Sequence, residues 1–438
     1  MIYLLGLLIS LTAGLLFIRV FASKRLEAVL HLLLALSLGL GLVGTSAFYV
    51  HILLNQFNRF IPVAVVLSGT LVSFFIKPFS LPQLRMTKAH ALGLLVLGLI
   101  AVPLAVCAHY YPFGGWDAWS CWNLKAKFIF LGHEHWKEVL APSFWRSNTQ
   151  YPLLWPLINV WFWDLGGKFS QAVPMLNSVV IALLTAGVLF FGLLELTGRM
   201  WPNLLAVFII MAVPFNIILY ASQYSDSLLG LYLLSSFLCL LLAEKYNEAN
   251  FRILSMVFLG LMSFAKDEGL AAAVIAAFVI YWHLLPKKNG VGLKAFWKDN
   301  GKLIFWFIVA ALPTVIFKLF LAPKNVAFIN GLVSADKPTD WARLAVIAVY
   351  PWFEFISAKW GGFWLLAAGG ILLAGKKLWR TAAGTIGLTL VFYLGVVLAY
   401  YALNTYFEIG WWMSTTLSRI LFALLPTVVL WIGYGLET

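Results

Sequence analysis

The chain has 438 residues, 62% of them apolar and 11% charged, with a formal net charge of +13 and a mean hydropathy of +0.92. So large an apolar share excludes a soluble globular protein and implies a polytopic, all-α membrane protein. The positive charge suggests nucleic acid at first, but the basic residues sit in short connections between apolar runs, where they act as topology signals, and nucleic acid is set aside as a partner.

The first segment, MIYLLGLLISLTAGLLFIRVF, lacks a basic leading region and a small-residue cleavage site, so it is expected to be retained as the first span. Further apolar runs follow near 27–49, 60–76, 90–109, 171–194, 202–220, 226–243, 251–265, 268–284, 303–322, 360–375, 383–403 and 417–435. The expected total is about thirteen transmembrane helices, from runs of about 17–25 residues. The runs at 251–265 and 268–284 are short and suit a hairpin that dips or tilts. Cys107, Cys121 and Cys239 are scattered and give neither a disulfide framework nor a zinc spacing.

Lysines and arginines alternate in their placement. Arg19, Lys24, Arg25, Lys77, Arg85, Lys88, Arg199, Lys245 and Arg252 mark one side, as do the lysines at 287–302 and Lys376, Lys377 and Arg380. The positive-inside rule puts these in the cytoplasm, with the N-terminus out and the C-terminus in. The opposite connections, 110–170, 221–225, 323–359 and 404–416, then face outward. The first of these is long and aromatic. Its WDAWSCWNLKAKFIF stretch has helical spacing and suits an interfacial helix, with Trp116, Trp119 and Trp122 at headgroup depth. Residues 341–357 suit a second such segment.

Five polar constellations fall on the outward side. Asp117, Cys121 and Lys125 follow i, i+4, i+8 spacing on one broad helical face, with Lys127 just beyond. Arg146 to Pro152 form the second, with Tyr151 at its end. Tyr224 and Asp226 lie in SQYSDS, and Lys266, Asp267 and Glu268 in AKDEG. The fifth is WWMSTTLSR, with Trp412 and Arg419. Each has an ordinary alternative: Asp117 as a helix N-cap, Tyr224 and Asp226 as a turn, Lys266 with Glu268 as a local ion pair, Arg419 as an interface anchor. His133 and His135 diverge on a helix and have no third ligand nearby, so a metal reading there is weak. Taken together, acids and bases recurring at one membrane face suit a lipid-borne anion. Lysine and arginine would hold a phosphate, and an isolated carboxylate would take a proton from an acceptor hydroxyl. The residues alone reach a membrane enzyme or transporter with an anionic amphiphilic ligand.

The ordered set WDAWSCWNLKAK, SNTQYPLLWPL, QYSDSLLGLYLL, FAKDEG and WWMSTTLSRILFALLP resembles motifs of bacterial integral-membrane glycosyltransferases of the GT-C superfamily. That group includes dolichyl-phosphate-mannose protein mannosyltransferases and aminoarabinose transferases. The resemblance covers roughly residues 90–435, so residues 1–89 look like N-terminal additional helices and 90–438 like the GT-C-like core, with the catalytic motif in outer loop 110–170. It implies a many-helix fold, a polyprenyl-phosphate sugar donor, inversion at the anomeric carbon, and Asp117 as the base. Lys125 and Lys127 fall in the first motif's K-A-K, Lys266 and Glu268 in the K-N-E-G position, and Arg419 in the final arginine. Four positions depart from the pattern: Gln150, Asp267, Met413 and Ser418.

The expectation is a glycosyltransferase of the bacterial inner (plasma) membrane, working on the outer (periplasmic or extracellular) face. Lys125, Lys127, Lys266 and Arg419 are the candidate donor-phosphate contacts, and Trp116, Trp119, Tyr151, Tyr224, Asp226, Glu268 and Trp412 the candidate substrate contacts. Its partners would be the polyprenyl-phosphate sugar donor, a lipid- or glycan-linked acceptor hydroxyl, and membrane lipids. No cofactor is assigned from the sequence, and Asp117, Asp226 and Glu268 leave a divalent metal ion open. The alternatives are a transporter or flippase for a lipid-linked sugar, for which Lys318 and Asn216 would matter, and a non-catalytic membrane assembly factor.

Overall fold

The structure is a computed structural model that describes residues 1–21, 26–54, 64, 86–284, 293–332 and 340–437. Among these residues all regular secondary structure is helical. The chain opens with α1 (Ile2–Phe21) and α2 (Ala28–Ala47), the latter continuing as a π-turn over Phe48–Leu53. These two helices touch through small residues: a Cβ on Gly14 would lie 1.8 Å from the Ala35 carbonyl oxygen, and one on Gly39 equally close to that of Ser10. Backbones approach this closely only where side chains are absent or small.

After the predicted 60–76 run, which lies outside the described residues apart from residue 64, come α3 (Lys88–Tyr110) and the short α4 (Asn123–Leu131). Next are α5 (Leu154–Gly166) and α6 (Ala172–Thr197). The predicted single span at 202–220 is two helices, α7 (Met200–Ala212) and α8 (Pro214–Ala221), bent by 68°. The cause is local. Val213 precedes a proline and takes φ −69°, ψ 118°, and Pro214 opens the next helix. Asn216 then donates to the Ile210 carbonyl at 2.8 Å, a bond that spans the break.

α9 (Ser225–Tyr246) is enclosed by protein along its apolar length. It packs on α6, on α10 (Asn250–Ser263) and on the C-terminal helix. α11 (Asp267–Leu284), α12 (Leu293–Ile316), α13 (Val326–Leu332) and α14 (Trp341–Ile356) follow. The predicted run at 360–375 condenses to α15 (Phe363–Ala374), of 12 residues. It is bracketed by Gly361, Gly362 and Gly375, all at positive φ, where other residues would be strained. α16 (Thr381–Leu403) and α17 (Ile409–Glu437) complete the chain.

Eight of the described helices are long and apolar enough to cross a bilayer, or nine if α7 and α8 are one broken span. The chain is therefore a multi-pass, all-α membrane protein. α1 and α2 are part of the same core: a Cβ on Gly6 would strike Phe162 of α5, and one on Gly41 would strike Leu261 and Tyr232.

α14 is amphipathic in an inverted sense. Trp341, Val349, Trp352, Phe353 and Ile356 are exposed, while Arg343 and Glu354 are buried. Arg343 donates to the carbonyls of Tyr401, Asn404 and Phe407, and Glu354 accepts from Trp360 Nε1 and Lys359 Nζ. An outward apolar stripe with its charges turned inward suits contact with lipid.

Polar contacts gather at two ends. One end joins Arg199 to Glu437, and Lys245 and Tyr246 to Glu195. The other holds the groups described next.

Candidate functional site

The site begins where α3 ends. Gly114 takes φ +69°, and a Cβ there would lie 2.5 Å from the Ser222 carbonyl oxygen. The next residue, Gly115, donates its N–H to that same oxygen at 3.0 Å and leaves no room for a side chain against the Tyr224 hydroxyl. The two glycines thus let the Tyr111–Asp117 turn lie flat on the Ser222–Tyr224 turn. Gln223 completes the junction at φ +58°, an unusual conformation for a residue with a Cβ and one that marks a held site. Its fully buried amide donates to the carbonyls of Tyr111 and Pro112 at 3.3 and 3.1 Å.

This junction brings Asp117 to Arg419 of α17, 302 positions away. Arg419 Nη1 donates to Asp117 Oδ2 at 2.6 Å, and Nη2 to Asp226 Oδ2 at 2.8 Å. Asp226 accepts on its other oxygen from Lys266 at 3.0 Å, and Lys266 is 3.0 Å from Glu268. The result is a row of alternating charge: Asp117, Arg419, Asp226, Lys266, Glu268. The Arg419 guanidinium lies over the Tyr224 ring at 4.3 Å from its centre.

Local packing fixes the lysine. Leu154 N–H donates to the Phe264 carbonyl at 3.0 Å and Ser225 Oγ to that of Ala265 at 2.8 Å, which holds the connection between α10 and α11. Burial opposes charge on Lys266, but the Asp226 and Glu268 carboxylates outweigh it and its pKa is raised. Beside this row Lys318 pairs with Asp267 at 2.5 Å and donates to the Gln150 carbonyl at 2.7 Å.

Asp117 is therefore paired, which corrects its description as an isolated carboxylate. It makes no side-chain cap either, although a π-turn over Ala118–Trp122 starts beside it. Lys125 is fully buried, and its ammonium donates to the Asn148 and Tyr151 carbonyls at 2.6 and 3.3 Å. Its burial lowers its pKa. The Arg146–Pro152 segment thus meets Lys125 and Lys318 through its backbone. Lys127 lies over the Phe169 ring, 5.0 Å from its centre. Tyr151 stacks on Trp122, with the Lys125 and Lys266 ammoniums each 5.8 Å from its ring centre. Trp122 is fully buried, so of the three tryptophans assigned to the interface only Trp116 and Trp119, 62% and 48% exposed, present their rings outward. Trp412 is buried against Tyr400 and Tyr401.

A chain of buried amides, which no spacing in the sequence reveals, supports the junction. Asn123 donates to Gln223 at 2.8 Å, Asn159 to Asn123 at 3.3 Å, and Asn177 to Asn159 at 2.8 Å. The Tyr3 hydroxyl of α1 donates to Asn177 at 2.8 Å. The one sequence signal was that three asparagines stand in apolar or aromatic surroundings.

No group of three or more His, Cys, Asp or Glu side chains among the described residues is arranged to hold a metal ion. Asp117, Asp226 and Glu268 do not converge, because a cation stands between each neighbouring pair. His135 contacts Glu134 and Glu138.

An open cleft of about 540 Å³ flanks the turn, lined by Tyr110, Tyr111, Pro112, Phe113, Gly114 and Trp119. The depth of the charged row follows from helix length. Arg419 precedes Glu437 by 18 residues on α17, which is about 27 Å at about 1.5 Å per residue. Asp226 precedes Lys245 by 19 residues on α9, or about 28 Å. A hydrocarbon core is about 30 Å thick, so the row lies about one core thickness from the opposite polar end. No protein-family model, curated protein or solved structure matches this chain.

Proposed function

We propose that the protein is a membrane glycosyltransferase of GT-C-like arrangement, moving a sugar from a polyprenyl-phosphate donor to an acceptor hydroxyl. The observation that carries this is the row Asp117–Arg419–Asp226–Lys266–Glu268, assembled from four segments far apart in sequence. Ion pairs as buried in protein as Lys266–Asp226, whose side chains are 5% and 4% exposed, are costly and are seldom kept for stability alone. The row lies about one hydrocarbon thickness from the far polar end, the depth at which a lipid phosphate meets water. The exposed aromatic cleft next to it suits a sugar ring or an isoprenoid chain.

In this reading the donor phosphate lies against Arg419 and Lys266, and Asp117 takes the acceptor proton. The acceptor oxygen bonds to the anomeric carbon from the face opposite the phosphate, which inverts that carbon. The carbon–oxygen bond to phosphate breaks, and its electron pair leaves with the lipid phosphate. Lys125, engaged with backbone carbonyls, positions the Asn148–Tyr151 segment. The site faces outward from a bacterial plasma membrane, with the N-terminus outside and the C-terminus inside. With α7 and α8 as one span, the shorter helices α10, α11 and α15 bring the crossings among the described residues to twelve, and the apolar 60–76 run of the sequence supplies the thirteenth. The row uses carboxylate–cation pairs throughout, and no metal is assigned.

Asp117→Asn is the direct test. The variant is expected to fold, to retain donor, and to lose transfer in a reconstituted assay with short-chain polyprenyl-phosphate sugars. Wild-type turnover in that variant would defeat the assignment of Asp117. A variant without transferase activity that still moves the lipid-linked sugar across vesicles, dependent on Lys318, would favour a flippase.

A further inference from the structure

The two carboxylates on Arg419 are held unequally. The Asp226 side chain is 4% exposed, and it keeps Lys266 as a second partner at 3.0 Å. Asp117 is 20% exposed, and among the described residues its side chain has Arg419 alone as a hydrogen-bonding partner. It stands on a glycine turn beside the open cleft, whereas Asp226 opens the enclosed helix α9. The Arg419 Nε–H is buried and has no acceptor among the described residues. A buried, unused donor of a cation is costly and calls for an acceptor oxygen.

We propose that Asp117 is an exchangeable partner of Arg419: the phosphate of a lipid-linked donor takes over the Nη1 donor, and this exchange frees Asp117 to act as base. The proposal rests on the glycosyltransferase reading above. A phosphodiester carries one negative charge, as Asp117 does, so the exchange leaves the charge around Arg419 unchanged. At rest the base is occupied, and it becomes free only when donor is bound. After transfer Asp117 carries the acceptor's proton and is neutral, so it cannot displace the lipid phosphate from Arg419. Loss of that proton to water restores the carboxylate, which competes again for Nη1 and assists product release.

The exchange is read by labelling carboxylates of the full-length protein in detergent with a water-soluble carbodiimide and an amine, followed by peptide mass spectrometry. Binding of radiolabelled farnesyl phosphate is measured in parallel. Farnesyl phosphate is expected to raise Asp117 labelling about tenfold, the factor set by one hydrogen bond to a charged group, with Asp226 labelling unchanged. Farnesol should leave both unchanged. An equal rise with inorganic phosphate supports the exchange and assigns recognition to the phosphate group alone. Farnesyl phosphate that binds without raising Asp117 labelling overturns the exchange and leaves the glycosyltransferase reading standing. Failure of farnesyl phosphate to bind overturns the donor class and the exchange with it. Arg419→Gln should label strongly at Asp117 without any phosphate, and weak labelling in the folded variant also overturns the exchange. Should that variant not fold, the wild-type comparison decides.

Discussion

Asp226 bears more structural weight than any other acid in the row, because it neutralises two buried cations at once. Removing its charge leaves Arg419 with Asp117 alone and Lys266 with Glu268 alone. Breaking a buried pair from one side costs on the order of 3–5 kcal/mol. Asp226→Asn should therefore lower the melting temperature in detergent far more than Asp117→Asn, whose carboxylate is more exposed and serves one partner. Equal losses for the two variants would contradict this ranking. Lys266 adds a dependence on pH. Its folded pKa is raised above the ordinary 10.5, so its stabilisation is fully present below about that value and is lost as pH rises through the folded pKa. Melting temperature measured across the alkaline range should fall above pH 10.5, and Lys266→Met should remove that part of the fall. Several of these residues stand out in the sequence because ionisable groups are rare in so apolar a chain. The local pair of Lys266 with Glu268 was legible, but the long-range pairing was not, since Asp117 and Arg419 are 302 positions apart and no periodicity links residues at that distance. The assumption of a free Asp117 failed for that reason: its counter-ion comes from the last helix.

The elements show where hydropathy is blind. Long runs such as 2–20, 383–403 and 417–435 coincide with α1, α16 and α17, because length and apolarity suffice to specify them. The run at 202–220 is just as apolar, yet one X–Pro junction splits it at Val213. At 360–375, glycines at positive φ shorten the helix to 12 residues. Contact between helices is equally hidden. Gly14 and Gly39 look like ordinary glycines in apolar runs, but each faces a backbone carbonyl of the other helix. A methyl at Gly14 would have to displace backbone rather than a flexible side chain, so Gly14→Ala should separate α1 from α2. The expected loss is roughly 1–3 kcal/mol, as for an overpacked core. Thermal unfolding in detergent measures it. An unchanged melting temperature would mean that the two helices can part without cost. Ala13, one position away and half-buried, supplies the control as Ala13→Ser.

At the scale of the whole molecule, the first helix and the charged row are joined by one polar path. From Tyr3 it runs through Asn177, Asn159 and Asn123 to Gln223, whose amide holds the carbonyls of the turn that carries Asp117. Every amide in it is buried, so each lost partner leaves a donor or acceptor that water cannot reach. Asn159 is the middle member, and Asn159→Leu removes two bonds at once. The cost should be about 1–3 kcal/mol for each group left unsatisfied. Tyr3→Phe removes one bond at the end of the path and should cost less, about 1 kcal/mol. If the path only stabilises the bundle, both variants lower the melting temperature and keep wild-type turnover at temperatures where they remain folded. If it also positions Asp117, Asn159→Leu lowers kcat under those conditions with donor KM little changed, since Arg419 and Lys266 are untouched. The second outcome is expected, because Gln223 is held at φ +58° by this path, and a relaxed Gln223 would let the Asp117 turn shift relative to Arg419. Asn159→Asp supplies the closing comparison: it keeps the acceptor for Asn177 and loses the donor to Asn123. A kcat near that of Asn159→Leu would place the positioning effect in the bond to Asn123, and a kcat near wild type would assign it to the bond from Asn177.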